Sequence, residues 1–166
     1  MGERLTQRDV EKIEQEIEHR KLVIRKEAIE AVKEARAQGD LSENFEYYAA
    51  KKYKNQNEGR IRYLERMLKT AIIVEDQSND NEVGMNDEVK VEFLEDGEVE
   101  SYKLVTSIRG NSLENRVSIE SPIGRALRGH RVGDIVDVKV NDSYSYQLKI
   151  IEISKTGAED EGIRGF

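Results

Sequence analysis

Between Thr6 and Val74, apolar residues recur at intervals of three and four. One set is Val10, Ile13 and Ile17, then Ile24, Ala28, Ala31 and Ala35; a second is Phe45, Ala49 and Tyr53, then Ile61, Leu64, Leu68 and Ala71. This spacing predicts two α-helices, each with a narrow apolar seam of the coiled-coil kind. The charged pair Arg20 and Lys21 interrupts the first seam. Thr6 suits an N-cap, with Asp9 close to the positive end of the helix dipole. Pro is absent from this stretch, and Gly occurs only at Gly39 and Gly59. Gly39 stands between the periodic runs and breaks them. Each arm then has about 33 residues, or about 50 Å of helix. Helices joined by so short a connection fold back antiparallel, so the pattern predicts a helical hairpin with residues 39–44 at its turn.

Beyond a polar run the period becomes two. Val89, Val91 and Phe93 alternate with Lys90 and Glu92, and Glu95-Asp96-Gly97 makes a turn. Tyr102, Leu104, Thr106 and Ile108 alternate next, followed by Val117 and Ile119, then Val136, Val138 and Val140, then Tyr144, Tyr146, Leu148 and Ile150. These predict five strands. Ser121 as a cap and Pro122 as the first helical residue predict one short helix within Ser121–Leu127. The fold class is therefore α+β. A long antiparallel hairpin is expected over 1–75, a linker over 76–82, and a small antiparallel sheet wrapped on one short helix over 83–154. The tail, 155–166, shows no periodicity and is expected to be disordered.

Composition sharpens this picture. The chain has 166 residues, and 37% of them are charged, a mixture that suits long solvated helices better than a single compact core. Cys is absent and there are two His, so disulfides, thiol catalysis and Cys- or His-based metal clusters are excluded. No run is apolar enough to cross a bilayer and no secretion signal is visible, which leads to the expectation of a cytoplasmic protein without a membrane partner. The net charge is −7, so affinity for nucleic acid would have to be local. Residues 1–75 carry 16 Lys/Arg against 15 Asp/Glu, so the negative excess lies in the second half.

The candidate chemistry is concentrated at Gly39-Asp40-Leu41-Ser42-Glu43-Asn44. Asp40 and Glu43 have the spacing of a capping box, and Ser42 could serve as the cap instead. Alternatively, the two carboxylates act on a metal. Mg2+ takes oxygen ligands, often one or two carboxylates plus waters and phosphates. Two acids on a turn would hold it poorly unaided but could complete a second metal site in a partner's catalytic centre. Residues 51–69 carry Lys51, Lys52, Lys54, Arg60, Arg62, Arg66 and Lys69 against Glu58 and Glu65. They either guide a phosphate backbone or form a solvated face that pairs across to Glu27, Glu30 and Glu34. Tyr47, Tyr48 and Tyr53 either stack on bases or pack along the seam. His130 is expected at the surface.

The tip string, continued by Glu46-Tyr47 and Ala49-Ala50-Lys51, closely resembles that of the bacterial Gre transcript-cleavage factors. Glu58-Gly59-Arg60-Ile61 with Leu64-Glu65 and Leu68 fits as well, as does Ser121-Pro122-Ile123-Gly124-Arg125-Ala126-Leu127 followed by Gly129 and Val132-Gly133-Asp134. The resemblance implies a hairpin that enters the secondary channel of bacterial RNA polymerase and stimulates the polymerase's own cleavage of backtracked RNA. It implies that Asp40 and Glu43 help to hold a second Mg2+, shared with the polymerase and not bound stably by this chain alone. Arg36 and Lys51, together with Lys52 and Asn44, are then candidate contacts to the 3′ end of the RNA or to the channel wall. The second half is implied to be an FKBP-like domain docking on the channel rim, and no small-molecule substrate is expected.

This chain departs from the family pattern at Phe45, where Ala is usual, and at Tyr48, where His is common. The departures keep a second reading open, a diverged paralogue that occupies the channel without cleavage. A prolyl isomerase would need a deep aromatic pocket, for which the second half offers Phe93, Tyr102, Tyr144 and Tyr146; neither isomerase nor independent nuclease activity is expected. A coiled-coil adaptor gains nothing from acids at a turn.

Overall fold

The computed structural model describes residues 2–39, 44–159 and 161–165. Two compact units are present, one built on Arg8–Ala71 and the other on Glu3–Gln7 together with Ile72–Gly165.

In the first unit, α1 (Gln7–His19) runs through a π-helical turn (Arg20–Ile24) into α2 (Arg25–Ala37), and α3 (Phe45–Thr70) returns. The partners across the arms, Arg25 with Glu58 and Lys21 with Glu65, show the antiparallel order directly. The π-turn lies where the sequence breaks its seam. Arg25 N–H donates to the Arg20 carbonyl, five residues back, in place of the usual four. Asn57 of α3 secures this wider turn: its amide donates to the Arg20 carbonyl at 3.2 Å, and its Oδ1 accepts from Arg20 Nη1 at 3.0 Å. Beside it Glu16 accepts from Arg20 Nε at 2.7 Å and from Arg60 Nε at 2.9 Å. A polar layer therefore crosses the middle of the hairpin, between the apolar contacts of Ile13, Ile61 and Leu64 and those of Ala28 and Ala35.

The α3 seam differs from expectation near the turn. Phe45, Ala49 and Tyr53 are exposed, and the inward side is half-buried Tyr47, Ala50 and Lys54, running on to buried Asn57, Ile61 and Leu64. Spacing of three and four holds for this set too. What displaces the more apolar set is the bonding of Asn57, which orients α3 through Arg20, and the Lys54 stem can pack while its ammonium reaches water.

The second unit holds a small parallel pair, β1 (Arg4–Leu5) with β2 (Ile72–Ile73), and a five-stranded sheet. Its strands are β3 (Glu88–Phe93), β4 (Val99–Val105), β5 (Arg116–Ser118), β6 (Ile135–Asn141) and β7 (Tyr144–Ser154), in the order β5-β4-β3-β7-β6. All neighbours are antiparallel except β4 and β5, which run parallel. The parallel pair arises because the chain does not turn back after β4. Strand β4 ends at Val105, and 3-10 turns at Ser107–Arg109 and Ser112–Glu114 carry the chain across before β5 begins. Alternation had extended that strand to Ile108, which is instead buried in the first of these turns.

Val89, Val91, Leu104, Val136, Val138, Leu148 and Ile150 form the core with Leu127 of α4 (Pro122–Leu127). Ser121 caps α4, its Oγ accepting from Gly124 N at 3.1 Å. A Cβ at Gly124 would lie 2.0 Å from the Ser118 carbonyl oxygen, so the helix can approach β5 this closely only because that position is glycine. Residues 76–82, read as a linker, are tied locally: Ser78 N donates to Asp76 Oδ1, and Asn79 N to Glu82 Oε1. The segment after Ser154, expected to be disordered, has no regular secondary structure among its described residues but is bonded to the sheet unit; Thr156 Oγ1, for example, donates to the Asn86 backbone carbonyl at 2.8 Å. Lack of periodicity was the reason to expect disorder there, and ion pairs such as Lys155 with Asp87 are part of what retains it.

Candidate functional site at the hairpin turn

Helix α2 closes with Gln38 N donating to the Ala35 carbonyl, and Gly39 takes a φ of +117°, a conformation other residues rarely adopt. Asp40 and Glu43, the acids singled out in the sequence, lie outside the described residues together with Leu41 and Ser42. What brackets them is well defined. Asn44 is the N-cap of α3, its Oδ1 accepting from Tyr47 N at 3.0 Å. Its Nδ2 donates to the Ala35 carbonyl at 2.6 Å, so one side chain caps the outgoing helix and ties it to the last turn of the incoming one. The cap of α3 is therefore Asn44; Asp40 and Ser42, which the spacing had offered as caps, lie outside the described residues. A capping box needs its acid three residues after the cap, and that residue is Tyr47, whose N–H is the group being capped.

Tyr47 sits at the centre of the described flanks, a role not legible in the sequence. The Arg36 guanidinium lies 5.7 Å from its ring centroid, and the Tyr48 ring meets it edge-on at 5.5 Å. Hydrogen bonding with Arg36 holds the Tyr47 phenol below its ordinary pKa; burial opposes this, and the charges of Lys51, Arg36 and Lys54 add to the lowering. Cationic side chains thus lie close to Tyr47. Arg36, Asn44 and Lys51 gather around Tyr47, and the only advance signal was the position of Tyr47 three residues after a good capping residue. Lys52 is exposed farther along α3, where it lines a shallow groove with Tyr48, Lys51, Asn55, Gln56 and Gly59. Asn44 has both of its amide groups engaged within the hairpin.

The apolar departures face outward. Phe45 is 85% exposed and Tyr48 51% exposed, on the first turn of α3. The basic stretch is divided. Arg60 turns inward to Glu16, whereas Lys51, Lys52, Arg62, Arg66 and Lys69 are exposed. Glu58 and Glu65 pair across to Arg25 and Lys21, a different pattern from the cross-pairs expected with Glu27, Glu30 and Glu34. Among the described residues no group of three or more His, Asp or Glu could hold a metal, and no helix is long and apolar enough to cross a membrane. His130 is exposed beside Asp134, at 3.2 Å.

A helical hairpin with basic residues flanking its turn, joined in sequence to a small mixed sheet packed with one helix, defines an α+β protein of two units. The N-terminal model of the GreA/GreB transcription elongation factors matches residues 3–73, and the C-terminal GreA/GreB model matches residues 77–155. The transcription elongation factor GreA of Macrococcus caseolyticus is 43% identical over 90% of this chain and 95% of its own length. That of Bacillus subtilis is 41% identical over the same shares. Among solved structures, the GreA factor homolog 1 protein of Thermus thermophilus is 28% identical, covering 93% of this chain and 100% of its own, with a TM-score of 0.43. The chain belongs to the GreA/GreB family and is a GreA-like transcription elongation factor.

Proposed function

We propose that this factor places its hairpin turn in the secondary channel of bacterial RNA polymerase and stimulates the polymerase's own cleavage of backtracked RNA. The observation that carries the reading is the placement of the cap. Because Asn44 already satisfies the start of α3 and the end of α2, the sequence retains Asp40 and Glu43 at the turn without needing either for capping. Two carboxylates are hard oxygen donors of the kind Mg2+ takes, and too few to hold it alone. They suit an ion whose other ligands the polymerase and the RNA supply.

In this reading Mg2+ supplies charge stabilisation at the phosphodiester being cleaved. The chain's residues do the rest. Asn44 ties together the two helix ends that bracket Asp40 and Glu43 in the sequence. Arg36 and Lys51 present positive charge toward the RNA backbone, and Lys52 extends it along α3. The chain contributes no catalytic centre of its own, so it has no nuclease activity without polymerase.

The test uses stalled, backtracked transcription complexes with 3′-labelled RNA and Mg2+. Wild type should release short 3′ fragments, and Asp40→Ala and Glu43→Ala should each lose at least tenfold in rate while still competing with wild type for the complex. The exposure of Phe45 and Tyr48 favours a second reading, a channel occupant that does not promote cleavage. Inhibition by wild type, without fragment release and unchanged in the two variants, would replace the first reading with that one.

A further inference from the structure

In the sheet unit, the segment after Ser154 covers a basic socket. Arg109, in the 3-10 turn after β4, is wholly buried; its Nη1 donates to Asn86 Oδ1 at 2.8 Å and its Nε to Thr106 Oγ1 at 3.2 Å. Asn86 holds a φ of +69°, a strained value for a residue other than glycine. In that conformation its side chain bridges Arg109 and Glu159, donating from Nδ2 to Glu159 Oε1 at 2.9 Å. Two carboxylates reach the one guanidinium, Glu159 at Nη2 and Glu161 at Nη1, each at 3.4 Å. Lys103 of β4 pairs with Glu161 and donates to the Ala158 carbonyl at 2.7 Å. Lys155 starts the covering segment on Asp87, at 2.7 Å, and Arg164 N–H ends it on the Ile108 carbonyl, also at 2.7 Å.

The match to the family's C-terminal model stops at residue 155, just before this segment. Among its described residues the segment has no helical or ladder hydrogen bonds of its own, so what holds it is charge and a few bonds to side chains and carbonyls. The socket is different. Its cations come from a strand and a turn, and a buried guanidinium stripped of its carboxylates is strongly unfavourable. Uncovered, Arg109 would draw in any acidic chain able to bring two carboxylates to it.

We propose that Lys103, Arg109 and Asn86 form a docking socket for an acidic peptide. The chain's own Glu159 and Glu161 fill it as a strap in cis, and an acidic, extended segment of a partner protein takes their place when the strap lifts. The occupant's chemistry follows from charge complementarity, since two carboxylates separated by one residue match one Arg and one Lys.

The test needs no polymerase, so its outcome is independent of the cleavage reading. Two receptors are made, a chain ending at Ser154 and the full chain with Glu159→Gln and Glu161→Gln, the second guarding against failure of the shortened chain to fold. The probes are a labelled peptide with the sequence of residues 155–166, the same peptide with both glutamates changed to Gln, and an unrelated acidic peptide containing Glu-x-Glu. Binding is read by fluorescence anisotropy at two salt concentrations. The tail peptide should bind either folded receptor at least tenfold more tightly than it binds the wild-type chain. Its Gln version should bind at least tenfold more weakly, the unrelated acidic peptide should also bind, and Arg109→Gln in the receptor should abolish both. Absence of binding to both receptors, or equal binding of the Gln peptide, would overturn the proposal. Binding of the tail peptide alone would overturn the partner-docking part and leave a private strap.

Discussion

Replacing Asn44 by Ala removes two hydrogen bonds at once, the cap on Tyr47 N and the tie to the Ala35 carbonyl. Loss of an N-cap costs about 1 kcal/mol, and a side chain to backbone bond contributes about 1 kcal/mol more. The end of the hairpin should therefore open more readily by about 2 kcal/mol, or about 30-fold in the local opening equilibrium. Native-state amide exchange at Tyr47 reads this directly, because its N–H is the capped donor. Asn44→Asp should show a smaller effect, since a carboxylate still caps but cannot donate to the Ala35 carbonyl. Asp40→Ala and Glu43→Ala should leave Tyr47 exchange unchanged while abolishing cleavage. If Asn44→Ala changes Tyr47 exchange by less than threefold, or Asp40→Ala changes it as much, then the assignment of the cap is wrong. Asp40 and Glu43 would then no longer be free of a capping role and available to a metal.

Other perturbations follow from the same geometry. Gly124→Ala should destabilise the sheet unit by about 3 kcal/mol, at the upper end for overpacking, because the added methyl would meet the Ser118 carbonyl; a shift in the urea midpoint of under a quarter of wild type would contradict this. Burial works to raise the pKa of Glu16, but bonds and charges from Arg60 and Arg20 outweigh it and hold the folded value below 4.5. A lowered folded pKa means that stabilisation by Glu16 is complete above pH 4.5 and is lost as pH falls through the folded value. Helical signal should therefore fall more steeply below pH 4.5 in wild type than in Glu16→Gln, and identical acid titrations would rule the network out as its source. Phe45→Ala should change stability by less than about 0.5 kcal/mol, as expected of an exposed side chain, yet alter cleavage or binding of the transcription complex; a variant indistinguishable in both would mean that Phe45 touches nothing there.

Much of the architecture was legible before any coordinates. Local periodicity marked both arms of the hairpin, and Gly39 marked their break. Two residues, Ser121 and Pro122, carried the start of α4, because caps and first-turn prolines depend on backbone groups a few residues away. The strands showed themselves by alternation for the same reason.

Long-range partners decided the remainder. Nothing local makes Asn57 outrank Tyr53 for the seam of α3; its bonds to Arg20, 37 residues earlier, do so and stabilise the π-turn as well. Among the described residues the cap on α3 falls to Asn44, whose side chain bonds both Tyr47 N and the Ala35 carbonyl, nine residues earlier. Strand β5 runs parallel to β4 because the chain crosses over through two short turns, a choice that alternation does not encode. The final segment read as disordered because it has no periodicity, and it is retained by Lys103 and Arg109, partners 50 or more residues away along the chain. Sequence by itself determines the elements, which depend on residues one turn or one pleat apart. Tertiary structure decides which polar groups are buried, because only it brings together the partners that make burial tolerable.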